Sequence, residues 1–338
     1  MMIKRSDTTV TILHRIRWSS RPLFYRRIFR AAAAAALLAS AALNADAAFD
    51  EAVVSAQAAA MGGASLAKDG DSSALFVNPA AGAALTSPEA YFMYNQLYAG
   101  LSGVGSIGQS LAAFAAPTRL GTVGVGLSDF QATGLLDQRV IGVSFARRVF
   151  GDVEAGVTGK YLSQRYLVGS DPLAASDPVF SNGTARGAFA VDAGVIAPVT
   201  DGLKAALAVR NINQPDIGLA SVDRVPRQIQ AGLAYSLKPE SLRLTADYTY
   251  VGASAGSLSQ KSEPALGLEK GYEHDMVQFR FGATLDQISG GVGINVGCLG
   301  FDYTFLLNRT LLANNAGTHM VGLRYRFGAV DPIPVRGH

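Results

Sequence analysis

Residues 277–286 read Val-Gln-Phe-Arg-Phe-Gly-Ala-Thr-Leu-Asp, and every second side chain is apolar. In an extended chain Val277, Phe279, Phe281, Ala283 and Leu285 share one face, and Gln278, Arg280, Gly282, Thr284 and Asp286 share the other. Successive side chains of a strand point to opposite faces, so this stretch is a strand with one oily side and one wet side. The pattern returns where Leu299, Phe301, Tyr303, Phe305 and Leu307 alternate with Asp302, Thr304 and Asn308. It returns again at Leu242–Tyr250, against Arg243, Thr245 and Asp247, and at Val153–Tyr161, against Glu154, Thr158 and Lys160.

Strands placed wherever the alternation holds, with breaks where Gly, Pro, Asn or Asp cluster, number about fourteen: 88–98, 108–117, 120–130, 139–149, 152–165, 184–197, 203–213, 224–238, 242–252, 262–270, 274–286, 289–297, 299–309 and 317–327. Segments of roughly 9–11 residues suffice to cross a bilayer when tilted.

The question is what covers the oily face. A soluble sandwich buries it against a second sheet; a closed barrel gives it to lipid and satisfies every backbone group internally. Only 16% of the chain is charged, against roughly 25% in soluble proteins, and the mean hydropathy is positive. The connections also sort by length. Long ones at 99–107, 131–138, 166–183, 214–223, 253–261 and 310–316 alternate with short ones at 118–119, 150–151, 198–202, 239–241, 271–273 and 298, the exception being 287–288. Outer-membrane barrels have short periplasmic turns and longer outer loops. The expected fold is therefore all-β, a transmembrane antiparallel β-barrel over residues 88–327. The alternative is an exported soluble β-rich surface or adhesion protein, whose aromatic face would be a sandwich core.

No stretch outside Ala31–Leu43 approaches the run of about 18 apolar residues that a membrane helix needs. That stretch follows a basic region (Arg15, Arg17, Arg21, Arg26, Arg27, Arg30) and precedes Ala45-Asp46-Ala47, which reads as a signal peptide, 1–47, cleaved after Ala47. Much of the basic excess behind the net charge of +3 lies in this leader, so nucleic-acid binding gains no support. The single cysteine, Cys298, excludes an internal disulfide.

Catalytic signals are weak. Gly103-Val104-Gly105-Ser106-Ile107-Gly108 has dinucleotide-fingerprint spacing, but a strand follows where a helix should open. His274, His319 and His338 form no metal motif, no nucleophile elbow is present, and neither enzyme activity nor a cofactor is expected. The informative polar residues are the charges that the alternation turns inward: Glu154, Lys160, Arg243, Asp247, Arg280, Asp302 and Arg324. Paired charges inside a barrel mostly stabilise it, and Asp302 and Arg324, on neighbouring strands, are expected to pair.

Residues 48–87 are different material, rich in small residues and turns. Asp69 and Asp71 lack the further carboxylate of a calcium loop and read as a solvated turn. Pro79 biases Asn78 away from helix, and the Asn78 side chain suits a tight turn or a helix end. The stretch AMGGASLAKDGDSSALFVNPAAGAAL, 60–85, resembles the N-terminal signature of the outer-membrane family that includes the long-chain fatty-acid transporter FadL and the PorV/PorQ proteins. The C-terminal third, through ALGLEKGYE, VQFRFGATLD, SGGVGINVG, LGFDYTF and GTHMVGLRYRF, is similar to the PorV/PorQ branch. The resemblance implies a fourteen-stranded barrel whose N-terminal segment, with Asp69, Asp71, Asn78 and Pro79 as plug or gate residues, fills the lumen. It also implies outer-membrane lipid as surroundings, and either a hydrophobic small molecule or a secretion-system protein as partner. Gly322, Tyr325 and Phe327 fit the terminal pattern by which such barrels engage the barrel assembly machinery, although a tail, 328–338, follows.

Overall fold

A computed structural model describes residues 55–68, 70–99, 107–168, 176–252, 261–309 and 316–328. The signal peptide, Asp69, most of the tail and the Gly103–Ser106 part of the glycine motif lie outside the described residues.

Fourteen strands form the wall: β1 Glu89–Leu97, β2 Ile107–Pro117, β3 Thr122–Ala132, β4 Leu136–Phe150, β5 Val153–Tyr166, β6 Ala185–Thr200, β7 Leu203–Arg210, β8 Gln228–Leu237, β9 Leu242–Val251, β10 Lys261–Tyr272, β11 Val277–Thr284, β12 Gln287–Val296, β13 Leu299–Asn308 and β14 Thr318–Arg326. Each pairs antiparallel with its sequence neighbours, and β1 pairs with β14, from Glu89 opposite Arg326 to Gln96 opposite His319, which closes the barrel. Closure removes the sheet edges that hydrocarbon could not satisfy. Among the described residues no helix is long and apolar enough to cross a membrane.

The alternation sorts as expected. On β13, Asp302 and Thr304 are buried while Phe301 is 46% exposed; on β11, Arg280 is buried between exposed Phe279 and Phe281. The apolar side faces outward, so the core of this molecule is its lumen, and the oily residues cover its outside.

Element edges differ from expectation where the backbone turns left-handed. β11 begins at Val277, not 274, because Glu273, His274 and Asp275 all have positive φ in the turn before it. The long loop expected at 131–138 shrinks to 133–135, where Gly134 supplies a φ of +79° and lets β3 and β4 run on. With 285–286 also short, two connections at that end, not one, break the length alternation. The largest difference is at β7, which stops at Arg210 instead of 213, while β8 starts at Gln228 instead of 224. Asn211, at φ +51°, takes the chain out of the wall there.

The N-terminal segment packs inside this wall. A short helix, α1 Ala56–Ala60, lies against β11 to β14. Two 3-10 helices, Ser72–Phe76 and Pro79–Ala84, lie against β1 to β6. Their sequence of Ala, Gly and Ser is what permits close approach to strands on every side.

Candidate functional site

The lumen is occupied from two directions, and the wall has been cleared for the first occupant. A methyl group added at inward-facing Gly126, Gly156, Gly267, Gly282 or Gly291 would come under 3.0 Å from an atom of the segment: Phe76, Pro79, Met61, Gly62 and Ala60 respectively. At Gly156, Gly267 and Gly282 backbone atoms of the segment are among those in the way, so nothing larger than hydrogen fits there unless the segment moves.

Polar wall residues then take up the segment's backbone groups, which would otherwise be buried without partners. The Ala56 N–H donates to Tyr91 Oη at 2.9 Å, and Thr304 Oγ1 donates to the Ala56 carbonyl at 2.6 Å. Ser289 Oγ accepts from the Gly62 N–H and donates to the Ala60 carbonyl, both at 3.0 Å. Thr158 Oγ1 donates to the Leu75 carbonyl at 3.0 Å, and Glu89 accepts from the Ser72 N–H at 2.9 Å. Asp247 accepts the Leu66 N–H at 2.8 Å.

Charges complete the contact on one side. Lys68 Nζ lies 3.1 Å from Glu269 Oε2 and donates to Gln57 Oε1 at 3.0 Å. Burial pushes the Lys68 ammonium below its ordinary pKa, and Glu269 pulls the other way. Glu269 also binds Arg243 at 2.6 Å and Arg280 at 2.7 Å; Arg280 binds Asp302 at 2.6 Å. Asp302 therefore pairs with Arg280 and not with Arg324, which corrects the expectation. Arg324 turns to Asn295 at 2.6 Å and approaches Glu89 at 3.9 Å. The reason is the register: the Cα partner of Asp302 on β14 is Gly322, and that of Arg324 on β13 is Gly300.

The remaining expected residues fall as follows. Asp71 caps the first 3-10 helix through the Ser73 N–H at 2.9 Å. Asn78 is buried, caps the second helix through the Ala80 N–H at 3.1 Å and donates to the Leu66 carbonyl at 2.9 Å. With Pro79 at the first position, the pair both ends one helical turn and begins the next. Glu154 lies 3.8 Å from Arg148. Gly322 faces Tyr91 and Ala56 from the wall, while Tyr325 and Phe327 stack edge-on outside, 4.7 Å between ring centroids.

The second occupant is the connection expected at 214–223, which spans 211–227 and folds into the lumen. Ile217 and Val225 are buried against Leu162 and Ala190. Within the loop Asp216 accepts from the Gly218 and Asp223 N–H groups at 3.0 and 2.9 Å, which holds its carboxyl below the ordinary range. Lys160, paired with Asp192 at 2.7 Å, donates to Asn211 Oδ1 at 3.1 Å, and Asn211 Nδ2 donates to the Pro226 carbonyl at 3.1 Å. Asn211 thus ties both ends of the loop to β5 and β6. Beyond it, Asn213 replaces the missing β7 ladder by accepting from the Val191 N–H at 3.1 Å and donating to the Phe189 carbonyl at 2.7 Å.

Sequence reasoning placed the wall charges but missed Lys68, Glu89, Asp192, Glu269 and Asn211 as partners. Three of these, Glu89, Asp192 and Glu269, sit at inward positions of the alternation, a signal that was present. Nothing in the local pattern marks Lys68 or Asn211.

Three apolar clusters form among the described residues of the lumen, and one of them packs Leu66, Val77 and Ala80 of the segment against Ile196, Ala206, Ala208 and Ala234 of the wall. In another, Leu75 and Phe76 of the segment pack with Tyr91, Met93, Leu111 and Met320. The remaining cluster is the one around Ile217 and Val225, and Val140 of β4 packs against both of these.

No family model and no curated protein matches the sequence. Solved structures do match the fold. The Ralstonia pickettii toluene transporter TbuX is 14% identical, with a TM-score of 0.58 over 82% of this chain and 100% of its own. The P. putida toluene transporter TodX is 11% identical, with a TM-score of 0.59 over 82% and 99%. A Pseudomonas aeruginosa FadL homologue is 13% identical, with a TM-score of 0.56 over 81% and 98%. The chain has the fold of these FadL-type barrels.

Proposed function

We propose that the protein sits in the outer membrane of a Gram-negative bacterium and passes hydrophobic solutes through its lumen, with residues 48–87 as a plug. The observation that carries this reading is the apolar lining. Amid the polar groups of the wall, buried apolar side chains run from the inturned loop at one end to the segment at the other, joined at Val140. Fold neighbours described as toluene transporters and as a FadL homologue support the same class of cargo. In this reading solute enters beside loop 211–227, and displacement of the segment around Asn78-Pro79 opens the way onward. The leader, 1–47, directs export, and the strand end bearing Gly322, Tyr325 and Phe327 engages the assembly machinery. The motifs shared with the PorV/PorQ branch keep a secretion partner as the alternative use of the same barrel. No catalytic role is assigned.

The test is uptake of radiolabelled toluene by cells of an outer-membrane host with and without the protein. Faster uptake with the barrel present is expected. Equal rates, with the folded barrel verified in the outer membrane, would sink the reading.

A further inference from the structure

We infer that Val140 is the residue that sets which hydrophobic solutes pass, an inference that rests on the reading of the lumen as an apolar passage. Of the wall residues packed on two of the clusters, Val140 is the one common to both, with Leu75 and Phe76 in the first and Ile217 and Val225 in the second. Its neighbours across the strands are Ser128 and Leu162. On the Ser128 side one polar position, whose Oγ accepts from Gln109 Nε2 at 3.1 Å, separates Val140 from Leu111 of the first cluster. On the other side Leu162, and Ala188 across from it, belong to the second cluster, and the buried Lys160–Asp192 pair lies two residues further along β5. Buried polar groups bonded to one another do not part for an apolar molecule without losing those bonds. Across the wall from Leu111 of the first cluster to Leu162 of the second, the apolar side chain in between is that of Val140, and a hydrophobic solute moving from one cluster to the other passes over it. Only half-buried, Val140 can give way, but a β-branched side chain has few rotamers to escape into. It acts as a specificity-determining side chain by size and by polarity.

The experiment compares uptake of two probes, toluene and the wider biphenyl, in cells carrying the wild-type barrel or the variants Val140→Ala, Val140→Phe and Val140→Thr. Val140→Ala should raise the biphenyl-to-toluene ratio at least threefold and Val140→Phe lower it as much; Val140→Thr, similar in volume but with a hydroxyl, should slow both. Val143→Phe, the same type of change on the outward face of β4, controls for effects on strand or membrane and should leave the ratio alone. Heat-modifiable migration on gels confirms folding, and the alanine variant decides the matter if the phenylalanine variant fails to fold. A wild-type barrel that carries neither probe defeats the passage reading itself; a wild-type barrel that carries them, with an unchanged ratio in the alanine variant, overturns the role of Val140 alone.

Discussion

The two occupants of the lumen are held in opposite ways. The N-terminal segment touches strands from β11 round to β6, sits over wall glycines and shares a charge network with β9, β10, β11 and β13. Loop 211–227 packs its buried side chains against β5 and β6 and is tied at its base through Asn211. One is part of the core on which the barrel closes. The other is a leaf laid against β5 and β6, outside the ladder bonds that close the wall. For the proposed passage, this contrast predicts an order of opening, the leaf before the fitted segment.

The comparison breaks first, and hardest, at Arg280. Its guanidinium is 1% exposed and lies between Glu269 and Asp302. Removing one member of such a set leaves buried charge uncompensated, at a cost of about 3–5 kcal/mol. Arg280→Ala should lower the urea stability of the barrel in lipid vesicles by that amount, and a loss under 1 kcal/mol would mean that the network is peripheral. Next comes Gly282→Val, which drives a side chain into the backbone at Met61 and Gly62. Overpacking of this kind costs roughly 1–3 kcal/mol. Gly159→Val, where an added Cβ meets nothing within 4 Å, should change stability little. If the two valines behave alike, the segment is not fitted to the wall.

Ile217→Ala tests the other half of the comparison. In a core, such a truncation costs roughly 2–5 kcal/mol, and Ile217 is 0% exposed. A leaf that opens on its own should instead leave the global unfolding midpoint almost unmoved and speed amide exchange only within 211–227. A global loss equal to a core truncation would show that the loop belongs to the same cooperative unit as the wall.

The difference between the regions also explains what could be read from sequence. Strand after strand was legible because one alternation satisfies two solvents, lipid outside and a polar or small-residue lumen within; Phe279, Arg280, Phe281 and Gly282 state the wall's sidedness in four residues. The segment was legible as separate material from its composition, and Asn78-Pro79 as its turn. The partners were not. Asp302 and Arg324 stand on neighbouring strands and yet do not pair, because pairing depends on register, and a one-residue difference in register changes every opposite side chain. Loop 211–227 was unreadable for a further reason. Whether a connection points out or in depends on whether two apolar side chains, here Ile217 and Val225, find an apolar floor, and that floor is built by strands far away in sequence.

The smallest effect is expected at Asp216, and it bears on what keeps the leaf down. The carboxylate accepts the N–H groups of Gly218 and Asp223, and these bonds, helped by Arg186 and Arg224, hold it below its free value of 3.8. A carboxyl depressed in the folded loop stabilises that loop fully above the free value, and the stabilisation is lost as pH falls through the depressed one. The loop should therefore stay docked at neutral and mildly acid pH and loosen only below the ordinary carboxylate range. A spin label on a cysteine replacing exposed Val222, in a Cys298→Ser background, would report this as a mobile fraction rising only in strong acid. Asp216→Asn keeps an acceptor but cannot titrate, so its profile should be flat. Asp216 is itself only half-buried, so water screens the effect, and the apolar grip of Ile217 should dominate it. If the acid step is as large as the change made by Ile217→Ala, the leaf is held by charge rather than by its apolar contacts, and the contrast between the two occupants is one of location alone.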